Sequence, residues 1–224
     1  MTAVAFIPAR QHSHRLPHKN LAELGGTSLL ARAVGVARMA KALGVVDDVV
    51  VSCEDGVTQR EAQGAGATTH WRSADVRAAD ATVLDVVREF CGAIRDPGTE
   101  YDLVCLLLPP SPLRTLRHVV ESRLLLREGA DAVMSVTPFR QDVRYACVEH
   151  EGQVKRVGGE NWTPETVFLK HDGTVIWARA SWLNTAKDFY DGRIVPYRVP
   201  PEESCDVDTQ IDLDYAAFLL GRRA

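Results

Sequence analysis

The chain has no hydrophobic run long enough to cross a bilayer, and its first apolar stretch, residues 4–7, is too short for the core of a signal peptide. No membrane partner is expected, and the expected location is cytoplasmic. The cysteines lack any pairing pattern. There are five (Cys53, Cys91, Cys105, Cys147 and Cys205), an odd number, with no C-x-x-C spacing. That excludes a disulfide framework and a cysteine-built zinc site, and leaves free, mostly buried thiols. An excess of positive charge is also missing. Lys and Arg number 26 against 30 Asp and Glu, for a net charge of −4, which argues against a general nucleic-acid binder. Neither G-x-x-x-x-G-K-[ST] nor G-x-G-x-x-G occurs, so the P-loop and dinucleotide-binding readings lose their main support. There is no internal repeat and no low-complexity segment. What is present is 224 residues, 46% apolar and 25% charged, enough for one domain with a real core.

Apolar runs alternate with helical patterns over the first 136 residues. Strands are expected at 4–7, 49–52, 68–70, 103–108 and 132–136. The run at 103–108 is continuously apolar, as in a strand covered on both faces. Helices are expected at 29–43, capped by Thr27 or Ser28, and at 57–63, 81–94 and 117–128. This alternation predicts an α/β fold with a mostly parallel, Rossmann-like sheet flanked by helices. Short β-type pieces at 145–148, 167–169 and 175–178 follow, separated by Gly-containing turns. They predict a β-rich excursion, at about 138–185, from a single domain spanning 1–224, and this excursion is the expected homodimer surface. The chain then returns with strands at 194–199 and 206–208 and a final helix at 210–220.

The loop after the first strand concentrates charge. Pro8-Ala9-Arg10 leads through Ser13 and Arg15 to Pro17, Lys19 and Asn20, with His12, His14 and His18 interspersed. Ligands of open α/β sheets bind at the carboxyl ends of strands, where this loop sits. Guanidinium, ammonium and backbone N–H donors suit a triphosphate, and Arg10 and Lys19 would neutralise charge on a departing pyrophosphate. Ser13 is a candidate phosphate donor, and Asn20 can both donate to and accept from a base or ribose edge. The bland alternative is a solvated basic loop, which the position after strand one disfavours. The histidines lack partners that would make them metal ligands.

These residues resemble the N-terminal signature of the CMP-sialic acid synthetases (acylneuraminate cytidylyltransferases), A-R-x-x-S-x-x-x-P-x-K-N. The resemblance implies CTP as substrate and a nucleotide-binding role for Arg10, Ser13, Lys19 and Asn20, with Arg10 and Lys19 catalytic. The stretch Leu106-Leu107-Leu108-Pro109-Pro110-Ser111-Pro112-Leu113-Arg114 resembles the family's L-L-Q-P-T-S-P-L-R, with Leu108 in place of Gln and Pro110 in place of Thr. Three prolines stiffen this turn, and Leu108, Ser111 and Arg114 become candidate substrate contacts. Arg72, ahead of Asp80, resembles the family's R-P-x-x-L-A-x-D-T, and both are assigned to the nucleotide. Arg144 and Lys170 stand where the family has basic residues toward the acceptor.

Asp206-Val207-Asp208 places two carboxylates at i and i+2, on one side of an extended chain. Paired hard oxygens suit Mg²⁺, which takes one or two carboxylates plus phosphate and water ligands. Thr209 and Asp212 read instead as a helix-capping pair. The segment resembles the family's D-I-D-T-x-x-D-L, which implies that Asp206 and Asp208 hold the metal and that Asp208 is catalytic. The expected reaction is therefore Mg²⁺-dependent transfer of CMP from CTP to a sugar acid, sialic acid or a related nonulosonate, with release of pyrophosphate. Leu108 and Pro110 remove hydrogen-bonding groups on the acceptor side. That keeps two alternatives open: another acidic acceptor such as a phosphonate, and a non-catalytic nucleotide-sugar-binding protein. A KDO-type enzyme would carry Gly-Asp where Leu108-Pro109 stands.

Overall fold

The computed structural model describes residues 1–10, 13, 15–77, 81–93, 100–139, 141–150, 152–157, 163 and 165–222. The first strand, β1 (Ala3–Pro8), is buried along its whole length, as its apolar sequence requires. A two-residue hairpin, β2 (Glu23–Leu24) and β3 (Thr27–Ser28), leads into α1 (Leu29–Ala42). Of the two expected caps the helix uses Ser28, whose Oγ accepts the Ala31 N–H at 3.0 Å. Next come β4 (Asp48–Cys53), α2 (Gly56–Gly64), β5 (Thr68–Trp71) and α3 (Val83–Ala93). They are followed by β6 (Leu103–Leu106), α4 (Leu116–Leu125) and β7 (Ala132–Pro138). Strands β8 (Cys147–His150) and β9 (Gln153–Arg156) pair only with each other. The chain closes with β10 (Leu169–Arg179), α5 (Ala180–Leu183), β11 (Ile194–Arg198) and α6 (Gln210–Gly221).

The main sheet has seven strands in the order β11-β7-β10-β6-β1-β4-β5. All pairings are parallel except those of β10, which runs against both β6 and β7. One face is covered by α1, α2 and α4, where Leu30, Val34, Ala37, Ala62 and Val119 pack with Ile7, Val51 and Trp177. The other is covered by α3 and α5, where Val87, Phe90 and Leu183 meet Phe6, Leu106 and Ile176. A third cluster packs α6 (Leu213, Ala216, Leu219) on Leu24, Leu29, Leu113 and Val207. This last cluster matters for function, because it fixes the segment ahead of α6 against the turn after β6. Among the described residues no helix is long and apolar enough to cross a membrane.

Three expectations need correction. The pieces predicted at 167–169 and 175–178 are one strand, β10, and it lies in the middle of the main sheet rather than in an excursion. Its register on β7 shifts between His171 and Ile176, and Gly173 there has φ 74°. That local irregularity is what the sequence displayed as a turn. The β-rich segment outside the sheet is therefore essentially β8–β9. Residues 206–208 form no strand. They run extended with one backbone anchor, Val207 N–H to Pro110 O at 2.8 Å. Finally, α5 and the β2–β3 hairpin were not expected, being too short to show a period.

Candidate active site

The basic loop is held at both ends. The Ala9 N–H donates to Ser52 O at 2.9 Å, carrying the β1–β4 ladder one step further. The buried Asn20 side chain donates through Nδ2 to Arg10 O at 2.9 Å, closing the loop on itself. His18 sits at φ 52°, in the left-handed region, immediately before the helical turn Lys19–Leu21. For a non-glycine residue this costs about 1–2 kcal/mol. Arg10 reaches across to the carbonyl of Ala81, just ahead of α3.

The loop leans over a cavity of about 320 Å³ at the carboxyl ends of β1 and β6. Four cationic side chains line it, Arg10, Arg15, Lys19 and Arg72, against a single carboxylate, Asp208. Ser13 and Asn20 add polar groups, while Val83, Val86, Leu108 and Pro110 make an apolar wall. Asp208 takes Lys19 Nζ at 2.8 Å on one oxygen and Arg15 Nη2 at 2.6 Å on the other. Arg72 is 1% exposed. Its Nε donates to Ser52 Oγ at 3.0 Å and its Nη2 to Ser52 O at 3.1 Å, with Glu54 at 3.6 Å. Burial lowers the Arg72 pKa from the usual arginine value, and Glu54 works in the opposite direction. Arginine keeps its charge in such a setting, so Arg72 is a fixed positive floor.

A second cavity of about 190 Å³ lies beside the first. It is lined by Lys170, Asp172, Asp206 and Asp212, with Thr137 and Ser204. Val207 is fully buried between the two aspartates, so the extended chain turns Asp206 and Asp208 outward on either side of it. Asp208 faces the cationic cavity and Asp206 the second one. The Asp206 carboxyl is pushed above the usual carboxylate range, first by desolvation and then by the charge of Asp208, while Lys19 and Lys170 pull the other way. The Thr209–Asp212 capping pair forms as expected. The Asp212 carboxylate accepts the N–H and the hydroxyl of Thr209, each at 2.8 Å. Burial raises the Asp212 pKa but is outweighed by these bonds, and the carboxyl stays below its usual range.

A divalent cation fits this arrangement. Among the described residues no cluster of three or more His, Cys, Asp or Glu could hold a metal. Mg²⁺ does not need one, because it binds through one or two carboxylates with substrate phosphates and water completing the shell. The mutual charge of Asp206 and Asp208 is what such a cation would relieve.

The structure places the expected residues unevenly. Arg10, Ser13, Lys19, Asn20, Arg72, Leu108 and Asp208 all line the cationic cavity, and Lys170 and Asp206 line its neighbour. Asp80, His12 and His14 lie outside the described residues. Three expected substrate contacts sit elsewhere. Arg114 is buried, and its guanidinium donates to the carbonyls of Thr174, Leu108 and Gly173. Burial brings its pKa down to about 10. It pins the β10 irregularity to the turn after β6. Ser111 is likewise buried and donates to Asp172 O at 3.2 Å. Arg144 lies on the short helical turn ahead of β8, paired with Asp142 at 2.8 Å, and lines neither cavity. These two arginines read as anion binders because sequence shows charge and not the local acceptor that absorbs it. Conversely, the pairing of Arg15 with Asp208 spans 193 positions, and nothing in the local pattern could have announced it.

With this geometry in hand, three comparisons are informative. A protein family described as cytidylyltransferase matches residues 4–97. The CMP-N,N'-diacetyllegionaminic acid synthase of Legionella pneumophila is 29% identical over 222 residues, covering 95% of this chain and 93% of that protein. The N-acylneuraminate cytidylyltransferase B of Danio rerio is also 29% identical, over 219 residues and 93% of this chain, which spans about half (49%) of that longer relative. Among solved structures, a CMP:2-keto-3-deoxy-manno-octonic acid synthetase complexed with CTP superposes over 100% of both chains, with a TM-score of 0.76 at 17% identity. At that identity the match establishes the fold alone: the chain shares the fold of that synthetase.

Proposed function

We propose that the chain, a cytidylyltransferase similar to the CMP-sialic acid synthetases over almost its whole length, transfers CMP from CTP to a nonulosonic acid and releases pyrophosphate. The observation that carries this reading is the convergence of Arg10, Arg15, Lys19 and Arg72 on one cavity whose rim bears Asp208 and, one step further, Asp206. Such a cavity suits a triphosphate and poorly suits an uncharged ligand.

The triphosphate lies under the basic loop, with Ser13 and Asn20 supplying neutral hydrogen bonds. Arg10 and Lys19 face the β- and γ-phosphates. The acceptor enters from the second cavity, with its carboxylate toward Lys170. Its hydroxyl oxygen attacks the α-phosphorus in line; the new P–O bond forms as the bridging bond to the β-phosphate breaks. The hydroxyl proton passes to water, and the charge on the departing pyrophosphate is met by Arg10 and Lys19. Catalysis here is positioning and charge neutralisation. Asp206 and Asp208 would hold Mg²⁺, which supplies further neutralisation of the phosphates. Arg114 and Ser111 act at one remove, fixing the turn that carries Leu108 and Pro110.

Leu108 and Pro110 place apolar surface on the wall of the first cavity, which the reacting end of the acceptor must enter to reach the α-phosphorus, where the family resemblance implies Gln and Thr. An acceptor richer in methyl and N-acyl groups than sialic acid, of the legionaminic or pseudaminic kind, matches that wall better. The same two residues, with Arg144 turned away, favour a second reading in which the acceptor is a smaller acid such as a phosphonate. The chain acts as a homodimer in this account. Tyr145, Val148 and Val154 are 83%, 50% and 76% exposed around the β8–β9 hairpin, apolar surface that a second copy would cover. The direct test is pyrophosphate release with Mg²⁺, offering CTP, UTP, ATP and GTP against nonulosonic acids, KDO and small phosphonates. Release with CTP and a nonulosonate is expected. Release only with a phosphonate would select the second reading, and CTP binding without release from any pair would make the chain a nucleotide-binding protein.

A further inference from the structure

Segment 200–208 carries both aspartates and belongs to no regular element. Its C-terminal end is fixed by Val207 N–H to Pro110 O at 2.8 Å and Asp208 N–H to Asp212 Oδ2 at 3.1 Å. What fixes the other end is a buried histidine on α4. The His118 side chain has no exposed surface, and its Nε2 stands 2.6 Å from Glu203 Oε2. The Thr115 N–H donates to His118 Nδ1 at 3.2 Å. Nδ1 is therefore the acceptor, Nε2 carries the proton, and the neutral ring donates to the Glu203 carboxylate. Burial is the first cause holding the ring below its usual pKa. Arg117 on the same helix also donates to Glu203 Oε2, and its Nη1 pairs with Glu121 at 3.1 Å. Glu121 in turn accepts the Tyr197 hydroxyl at 2.6 Å, tying in β11, the strand that delivers the segment.

Glu203 lies three residues before Asp206. Between the end of β11 at Arg198 and Val207, the contacts beside this tether include Val199 N–H to Val136 O at 2.8 Å, an internal turn from Glu203 N–H to Pro200 O at 2.9 Å, and the weak contact of Cys205 Sγ with Asp212 O at 3.7 Å. We infer that His118 and Glu203, helped by Arg117, are positioning residues for the reaction: they latch segment 200–208 to α4 so that Asp206 and Asp208 are held in place to receive a divalent cation. Neither touches substrate. Their action is through the aspartates, as partners behind metal ligands act generally. The inference rests on the assignment of Asp206 and Asp208 as cation ligands.

The test compares wild type with Glu203→Ala and Glu203→Gln. Glu203 is partly exposed, so neither change removes core packing. Two quantities are read: Mn²⁺ affinity in the presence of CTP, by electron paramagnetic resonance without acceptor, and the Mg²⁺ concentration for half-maximal pyrophosphate release. Glu203→Ala is expected to weaken both by roughly tenfold, the scale on which partners behind metal ligands act. Metal-free CTP affinity should change less than about twofold, since the cationic loop is untouched. Glu203→Gln, which still accepts from His118, should recover most of the loss. A Glu203→Ala protein that melts at lower temperature but keeps wild-type Mn²⁺ affinity and Mg²⁺ dependence would overturn the inference, leaving the latch purely structural. If wild type itself released no pyrophosphate, the proposed reaction would fail, yet the Mn²⁺ measurement would still decide the latch.

Discussion

The two cavities at the carboxyl edge of the sheet sit side by side but are built on different principles. The larger opposes four cations to one carboxylate and is framed by β1, β6 and the loop after β1. The smaller opposes Lys170 to Asp172, Asp206 and Asp212, and it is framed by the irregular start of β10 and the segment before α6. The first has the charge of a site for a polyanion of fixed chemistry. The second, mixed in sign and walled by irregular backbone, has the character of a site that can be retuned to different acceptors. Asp206 stands between them and responds to charges from both.

That division can be broken or sharpened by mutation. The largest effect is expected at their junction. Asp208→Asn should lower kcat by about 10³-fold or more, because the lost charge serves binding of the cation and stabilisation of the transition state together. CTP binding should survive, and wild-type turnover in that variant would remove the metal assignment. Lys19→Ala comes next, with a loss of roughly 10²-fold in kcat/KM for CTP and little change in acceptor KM, measured by pyrophosphate release at varied CTP. On the other side of the division, Lys170→Ala should raise acceptor KM by about tenfold while CTP KM stays near wild type. Equal effects on the two substrates would mean the cavities are not separate. The smallest effect is expected at Arg144→Ala, under about twofold in any kinetic constant, because its guanidinium is already engaged by Asp142 at the surface.

The same division decided what could be read from the sequence. Six of the seven sheet strands are legible in the sequence: β1, β4, β6 and β7 as apolar runs, because strands buried in the sheet have few competing polar positions, and the edge strands β5 and β11 from short β-type segments between turns. The seventh, β10, lies between β7 and β6, away from the excursion that its sequence suggests. Its long run is interrupted by Asp172-Gly173, and no local pattern says that a strand after a hairpin will insert antiparallel between β6 and β7. The cationic cavity was legible for a related reason: most of its charge comes from one continuous loop, where Arg10, Ser13, Lys19 and Asn20 are neighbours in sequence. The smaller cavity is assembled from segments 137–138, 170–172, 201–206 and 212–215, and of its lining only Lys170 and Asp206 are expected from the sequence as site residues. Arg114 and Arg144 look like substrate contacts in the sequence because a charge there carries no mark of its partner. Three backbone carbonyls in one case and Asp142 in the other had already taken it. The His118–Glu203 pair was invisible for the same reason, since its members lie 85 residues apart.

The central claim is that the cationic cavity delivers CMP to an acceptor oxygen. It is tested most directly by following CTP, Mg²⁺ and a legionaminic-type acid with the protein by ³¹P nuclear magnetic resonance. The account predicts loss of the three CTP signals, with growth of one phosphodiester signal and of pyrophosphate in equal molar amounts. Pyrophosphate accompanied by free CMP, with no phosphodiester, would show water as the acceptor and would contradict it.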